Sequence, residues 1–87
     1  MAKYQIFFKP SAEIELKKLD KRLIPNIIRK IESLSIEPRA STFKRLRGTN
    51  AYRIRIGSYR ALYEVDDPNK QIIIFRIKHR KDAYRNI

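Results

Sequence analysis

Arg53, Arg55 and Arg60 are spaced so that an extended chain folded back on itself brings them to one surface. What clustered guanidinium groups do best is hold phosphate. Each presents a rigid fork of N–H donors, stays charged at any working pH and pairs bidentately with phosphate oxygens. Arg76 and Arg80 arrive from a neighbouring segment and add to the same field, which tips the balance away from the bland alternative of a solvated strand face. His79 lies within Lys78-His79-Arg80-Lys81 and is the single histidine of the chain. It is the side chain whose ordinary titration falls near neutrality and so the natural proton carrier for acid–base work, although a lone histidine is commonly just a packed ring. Tyr84 has a ring that can stack on a base and a hydroxyl that can donate to phosphate; near a chain end, a tyrosine is also commonly a packing anchor. The chemistry these residue types suit is phosphate binding with a proton carrier nearby.

Composition narrows the partners. The 87 residues carry 21 Lys and Arg against 9 Asp and Glu, a formal net charge of +12 distributed along the whole length. Such a field attracts polyanions, and nucleic acid comes first, because neutralising phosphates releases counterions and gives a salt-sensitive affinity. Lys44, Arg45, Arg47, Arg76, Lys78 and Lys81 are the further candidates for RNA contact. An anionic membrane surface fits less well, since no helix pairs a basic face with a Trp- or Phe-rich one. Gly48 and Gly57 are the only glycines, so there is no glycine-rich loop for a nucleoside triphosphate. There is no cysteine and one histidine, which argues against disulfides and a zinc centre, while Glu64, Asp66 and Asp67 sit at a turn and read as solvated. Metal-independent chemistry with no small-molecule cofactor is the expectation. The opening Met1-Ala2-Lys3-Tyr4-Gln5-Ile6-Phe7-Phe8 has no long apolar stretch, and nothing approaches a membrane span, so the expected location is the cytoplasm.

A chain of this length builds one core, burying roughly 60–65% of its unfolded surface, so residues 1–87 are read as a single domain. At 43% hydrophobic and 34% charged it lies well clear of the disordered regime. The aromatic run Tyr4–Phe8, closed by Pro10, predicts a strand over 3–9. Ser11 is expected to cap a helix reaching about Asp20, with Glu13 and Glu15 in its first turn and Ala12, Leu16 and Leu19 on one face. A second helix carries Ile27, Ile28, Ile31 and Leu34 along one side; Pro25 fits its first turn, and a start nearer Asp20 with a distorted turn stays open. Residues 35–50 read as a basic connection, with Phe43 and Leu46 tucked inward.

Thereafter the period changes to two. Tyr52, Ile54 and Ile56 face the core and Arg53 and Arg55 the other side, Gly57-Ser58 makes a tight hairpin, and Tyr59–Val65 returns with Arg60 on the cationic face. Asp67-Pro68-Asn69-Lys70 reads as a type I turn into a strand over 71–77, apolar on both faces up to Arg76 and therefore central. The order is β-α-α-β-β-β. The class is α+β, a helical hairpin packed on one face of a mainly antiparallel sheet, with the other face free for a ligand.

The blocks Leu46-Arg47-Gly48, Tyr52-Arg53-Ile54-Arg55-Ile56-Gly57-Ser58-Tyr59-Arg60-Ala61-Leu62-Tyr63-Glu64-Val65 and His79-Arg80-Lys81-Asp82-Ala83-Tyr84-Arg85, in that order, resemble the RelE/ParE toxin superfamily of type II toxin–antitoxin systems. The ending looks more like the RelE branch. The resemblance implies a ribosome-dependent endoribonuclease that cleaves messenger RNA in the ribosomal A site by attack of the ribose 2′-hydroxyl on the adjacent phosphate, and a cognate antitoxin protein as partner. Aligned by motif, Arg60 falls on the family's phosphate-binding arginine, Arg80 on its later arginine and Tyr84 on its C-terminal tyrosine. Arg53 and Arg55 stand where some RelE proteins carry lysines, and a guanidinium cannot serve as a free general base near neutrality. His79 is therefore the expected acid or base, with the arginines stabilising transition-state charge. The alternatives are a gyrase-directed toxin and a non-catalytic RNA-binding module.

Overall fold

The computed structural model describes residues 3–38, 43–45 and 51–79. Its elements run β1 (Gln5–Phe8), α1 (Pro10–Lys17), α2 (Ile24–Glu32), β2 (Phe43–Arg45), β3 (Ala51–Ile56), β4 (Tyr59–Asp66) and β5 (Gln71–His79). The strands form one sheet in the order β1-β5-β4-β3-β2. β1 pairs parallel with β5 and every other pairing is antiparallel, so the expected α+β class and the central place of the last strand are both observed. The short β2, opposite β3, was not visible in a stretch that reads as a connection.

Helix α1 differs at its start from the sequence expectation. Pro10, whose fixed φ suits a first helical position, begins the helix, and Lys9 occupies the cap with no side-chain cap bond. Ser11 is thus not a cap: its Oγ donates to the carbonyl of Phe75 at 2.8 Å. Between the helices, Arg22 donates from Nη2 to Asp20 Oδ2 and from its backbone N–H to Oδ1, each at 2.9 Å. The Arg22 side chain, and then its backbone N–H, hold the Asp20 carboxyl below its ordinary range. In α2 Pro25 sits in the first turn as expected, and Ile27 and Ile31 are buried; Leu34 follows them into the core from a single 3₁₀ turn, Ser33–Ser35.

The helices contribute Ala12, Ile27, Ile31 and Leu34 to a core whose sheet side is Ile54, Ile56, Ala61, Tyr63, Ile72, Ile74 and Ile77. Ile74 and Ile77 are three residues apart yet both face the helices. The pairing explains this: Tyr63 is opposite Ile74 while Leu62 is opposite Arg76, so Phe75 is the extra residue of a β-bulge. Gly57 takes φ of +61° at the hairpin, the backbone state for which glycine suits this position, and the turn after β4 closes with Lys70 N–H on Asp67 C=O at 3.2 Å.

Candidate nucleic-acid interface

Strand alternation puts Ile54, Ile56, Ala61, Tyr63 and Ile77 against the helices, so the residues between them share the opposite face. Register then aligns two rows of charge across it. Arg55 is opposite Arg60, and Arg60 opposite Lys78; Arg53 lies beside Lys44 on one side and Leu62 on the other, with Arg76 beyond Leu62. Arg53 and Arg55 are half-buried and exposed respectively. Arg60 is on the expected face but not in the expected state: it is 1% exposed, with Nε and Nη1 fully buried. A central strand flanked by neighbours on both sides hides the base of its side chains, which the alternation pattern cannot register. Of the three arginines, Arg55 is the most accessible, Arg53 less so and Arg60 hardly at all.

The structure does not bring His79 into that array. His79 pairs with Tyr59 across the sheet and shares the parity of Ile77, so it lies on the helix-facing side. Its ring meets Tyr59 edge-on at 5.2 Å between centroids, with planes at 82°. This is a packing contact of the sort aromatic pairs favour. For the RNA cleavage expected from the motifs, His79→Phe should cost no more than about tenfold in single-turnover rate, well short of the 10²–10⁴-fold typical of a lost general acid or base. A loss of that larger size would return His79 to the reacting centre.

The family model described as "ParE toxin of type II toxin-antitoxin system, parDE" matches residues 6–84 of the chain. The chain belongs to the RelE/ParE toxin superfamily. Within it, Toxin RelG of Mycobacterium tuberculosis is 33% identical over 84 residues, which span 94% of this chain and 97% of the relative. A chain of the RelBE2 toxin–antitoxin complex from the same organism superposes with a TM-score of 0.81 at 32% identity, covering 90% of this chain and 99% of that one. A chain of the archaeal RelE–RelB complex from Pyrococcus horikoshii does so with a TM-score of 0.77 at 29% identity, over 92% and 97%. The α+β scaffold and the toxin family expected from the motifs are thereby established.

Against this toxin scaffold, Arg47, Arg80, Lys81 and Tyr84 lie outside the described residues, and of Lys44 and Arg45 only the strand pairing is described. Arg76, which is exposed, and Lys78, which is half-buried, are both ion-paired. Glu15 of α1 receives both, Arg76 Nη1 at 3.3 Å and Lys78 Nζ at 3.5 Å on its Oε2. Sequence reasoning placed Glu15 only against the helix dipole. The missed signal was its spacing from Ser11: residues four apart on a helix share a face, and both reach β5. Among the described residues no group of three or more His, Cys, Asp or Glu could hold a metal ion, and no helix is long and apolar enough to cross a membrane.

Proposed function

We propose that this toxin is a cytoplasmic, ribosome-dependent endoribonuclease that cuts messenger RNA in the A site and so blocks translation, and that a cognate antitoxin neutralises it. The observation that carries the reading is the sheet face opposite the helices, where the half-buried Arg53 and the exposed Arg55 lie beside the buried Arg60. The family's RelE relatives, found with RelB partners in solved complexes, support it.

In the proposed reaction the ribose 2′-oxygen forms a new bond to the adjacent phosphorus, and the bond from phosphorus to the 5′-oxygen breaks. The 2′-hydroxyl loses its proton to a base and the departing 5′-oxygen gains one. Phosphorus passes through a state with additional negative charge, which the guanidinium groups stabilise where it develops. Arg80 and Tyr84, carried over from the family motif, complete the proposed site, Tyr84 by stacking on or orienting the nucleotide. A second reading, inhibition of gyrase, draws on the match to the ParE model.

Brief induction of wild type and of Arg53→Ala/Arg55→Ala, with mapping of new messenger-RNA 5′ ends and a parallel assay for gyrase-linked DNA breaks, separates the two. Codon-phased cuts that vanish in the double variant are expected. DNA breaks with intact messenger RNA would replace the proposal with the gyrase reading.

A further inference from the structure

Strand β1 accompanies β5 only as far as Ile74, where the N–H of Lys9 donates to its carbonyl at 2.8 Å. The chain then turns into α1 at Pro10, and the last part of β5, Phe75 to His79, runs on past the end of β1. Buried backbone groups along such an edge need partners. Helix α1 supplies them: Ser11 Oγ donates to Phe75 C=O at 2.8 Å, and Glu15 Oε1 accepts the N–H of Ile77 at 2.9 Å. The spacing fits, since four helical residues rise about 6 Å and two strand residues about 6.7 Å. One carboxylate oxygen is thus fixed by the sheet edge. The other takes both Arg76 and Lys78.

This arrangement has an electrostatic result for the cationic face. Arg55, Arg60 and Lys78 lie directly opposite one another across three strands, and like charges so placed repel. Glu15 draws Lys78 to the edge and occupies, with Arg76 and the Ile77 N–H, what is otherwise a three-donor site for an anion. Its side chain is largely enclosed there, 21% exposed.

We infer that Glu15 is a specificity-determining residue of the polyanion surface: it holds Arg76 and Lys78 at the β5 edge, removes them from phosphate contact and confines the RNA backbone to the track of Arg53 and Arg55. The inference extends the RNA-directed reading proposed above, but its test does not depend on cleavage. The salt dependence of binding counts phosphate contacts directly, because the slope of log K against log salt changes by about 0.7 for each cation on a single strand.

The experiment measures that slope for the purified full chain with a short single-stranded oligouridylate, and the salt at which it elutes from immobilised heparin. In wild type, Arg76→Ala/Lys78→Ala is expected to leave both nearly unchanged. Glu15→Gln keeps an oxygen for the Ile77 N–H and loses the charge; it is expected to steepen the slope by about 1.4 for two freed cations and to elute later. Adding Arg76→Ala/Lys78→Ala to Glu15→Gln should restore the wild-type slope. A wild-type slope that becomes shallower by a unit or more on Arg76→Ala/Lys78→Ala overturns the inference, as does an unchanged slope in folded Glu15→Gln. If the heparin shifts occur in a chain that cuts no messenger RNA, the role of Glu15 stands and the endonuclease proposal fails. Cutting with unshifted slopes gives the reverse.

Discussion

Replacing Arg60 by Met is expected to leave the toxin folded while the proposed cleavage of messenger RNA falls by about 10²–10³-fold. The two halves of that expectation have one cause. Arg60 is 1% exposed on a central strand, with Arg55 and Lys78 directly opposite it on either side. Removing a guanidinium from water and placing it beside two more cations both cost free energy that an apolar side chain of similar volume does not incur. Methionine fills the space with an unbranched, adaptable chain. A charge held at such a site is expected where activity needs it, and stability is commonly lost at such places. Arg60→Lys retains a charge but not the fork, so its cleavage should fall between the two. Paired thermal melts and single-turnover assays check the set. Full cleavage by Arg60→Met, or a melt lowered by more than about 10 °C, would make Arg60 a structural residue instead.

The features legible in the sequence share one property: they are set by local periodicity. The alternation of Tyr52 to Ile56, the glycine at the Gly57-Ser58 turn and the apolar stripe of α2 all predict what is observed, because each depends on a few adjacent residues. The illegible ones depend on partners far away in the chain. Ser11 has the chemistry of a cap, but the end of β1 leaves the carbonyl of Phe75 within its reach, 64 residues later. The bulge at Phe75 is set by how β4 and β5 pair, and no pattern within Ile72-Ile73-Ile74-Phe75 announces it. His79 follows from that bulge. With strict alternation from Ile74 it would share a face with Arg60; the added residue moves it across to the side of Tyr59. Burial of Arg60 and the claim of Glu15 on Arg76 and Lys78 are likewise tertiary. The arginine-bearing face could be read from sequence, but which of its charges remain available could not.

Tyr63→Ala is the substitution expected to unfold the domain most nearly outright. Tyr63 is wholly buried in the sheet's core, its ring lies 5.8 Å from that of Tyr52 at an interplanar angle of 24°, and its hydroxyl donates to the carbonyl of Pro38 at 2.8 Å. The side chain therefore does two things, filling the layer between helices and sheet and tying the chain after the second helix back to β4. Truncating a large buried ring costs about 3–5 kcal/mol, against a total stability of about 4–13 kcal/mol for a domain of this size. A Tm lowered by about 12–40 °C follows, at about 4–8 °C for each kcal/mol. Tyr63→Phe keeps the ring and loses only the hydroxyl, a change of about 1 kcal/mol and thus about 4–8 °C. Thermal unfolding of the two variants divides packing from tether. Equal losses would assign the stabilisation to the Pro38 hydrogen bond, and a loss below about 5 °C in Tyr63→Ala would contradict its place in the core. Because β4 also carries Arg60 on its other side, the same strand that Tyr63 anchors is the one that fixes the cationic face, and stability at the first is a condition of chemistry at the second.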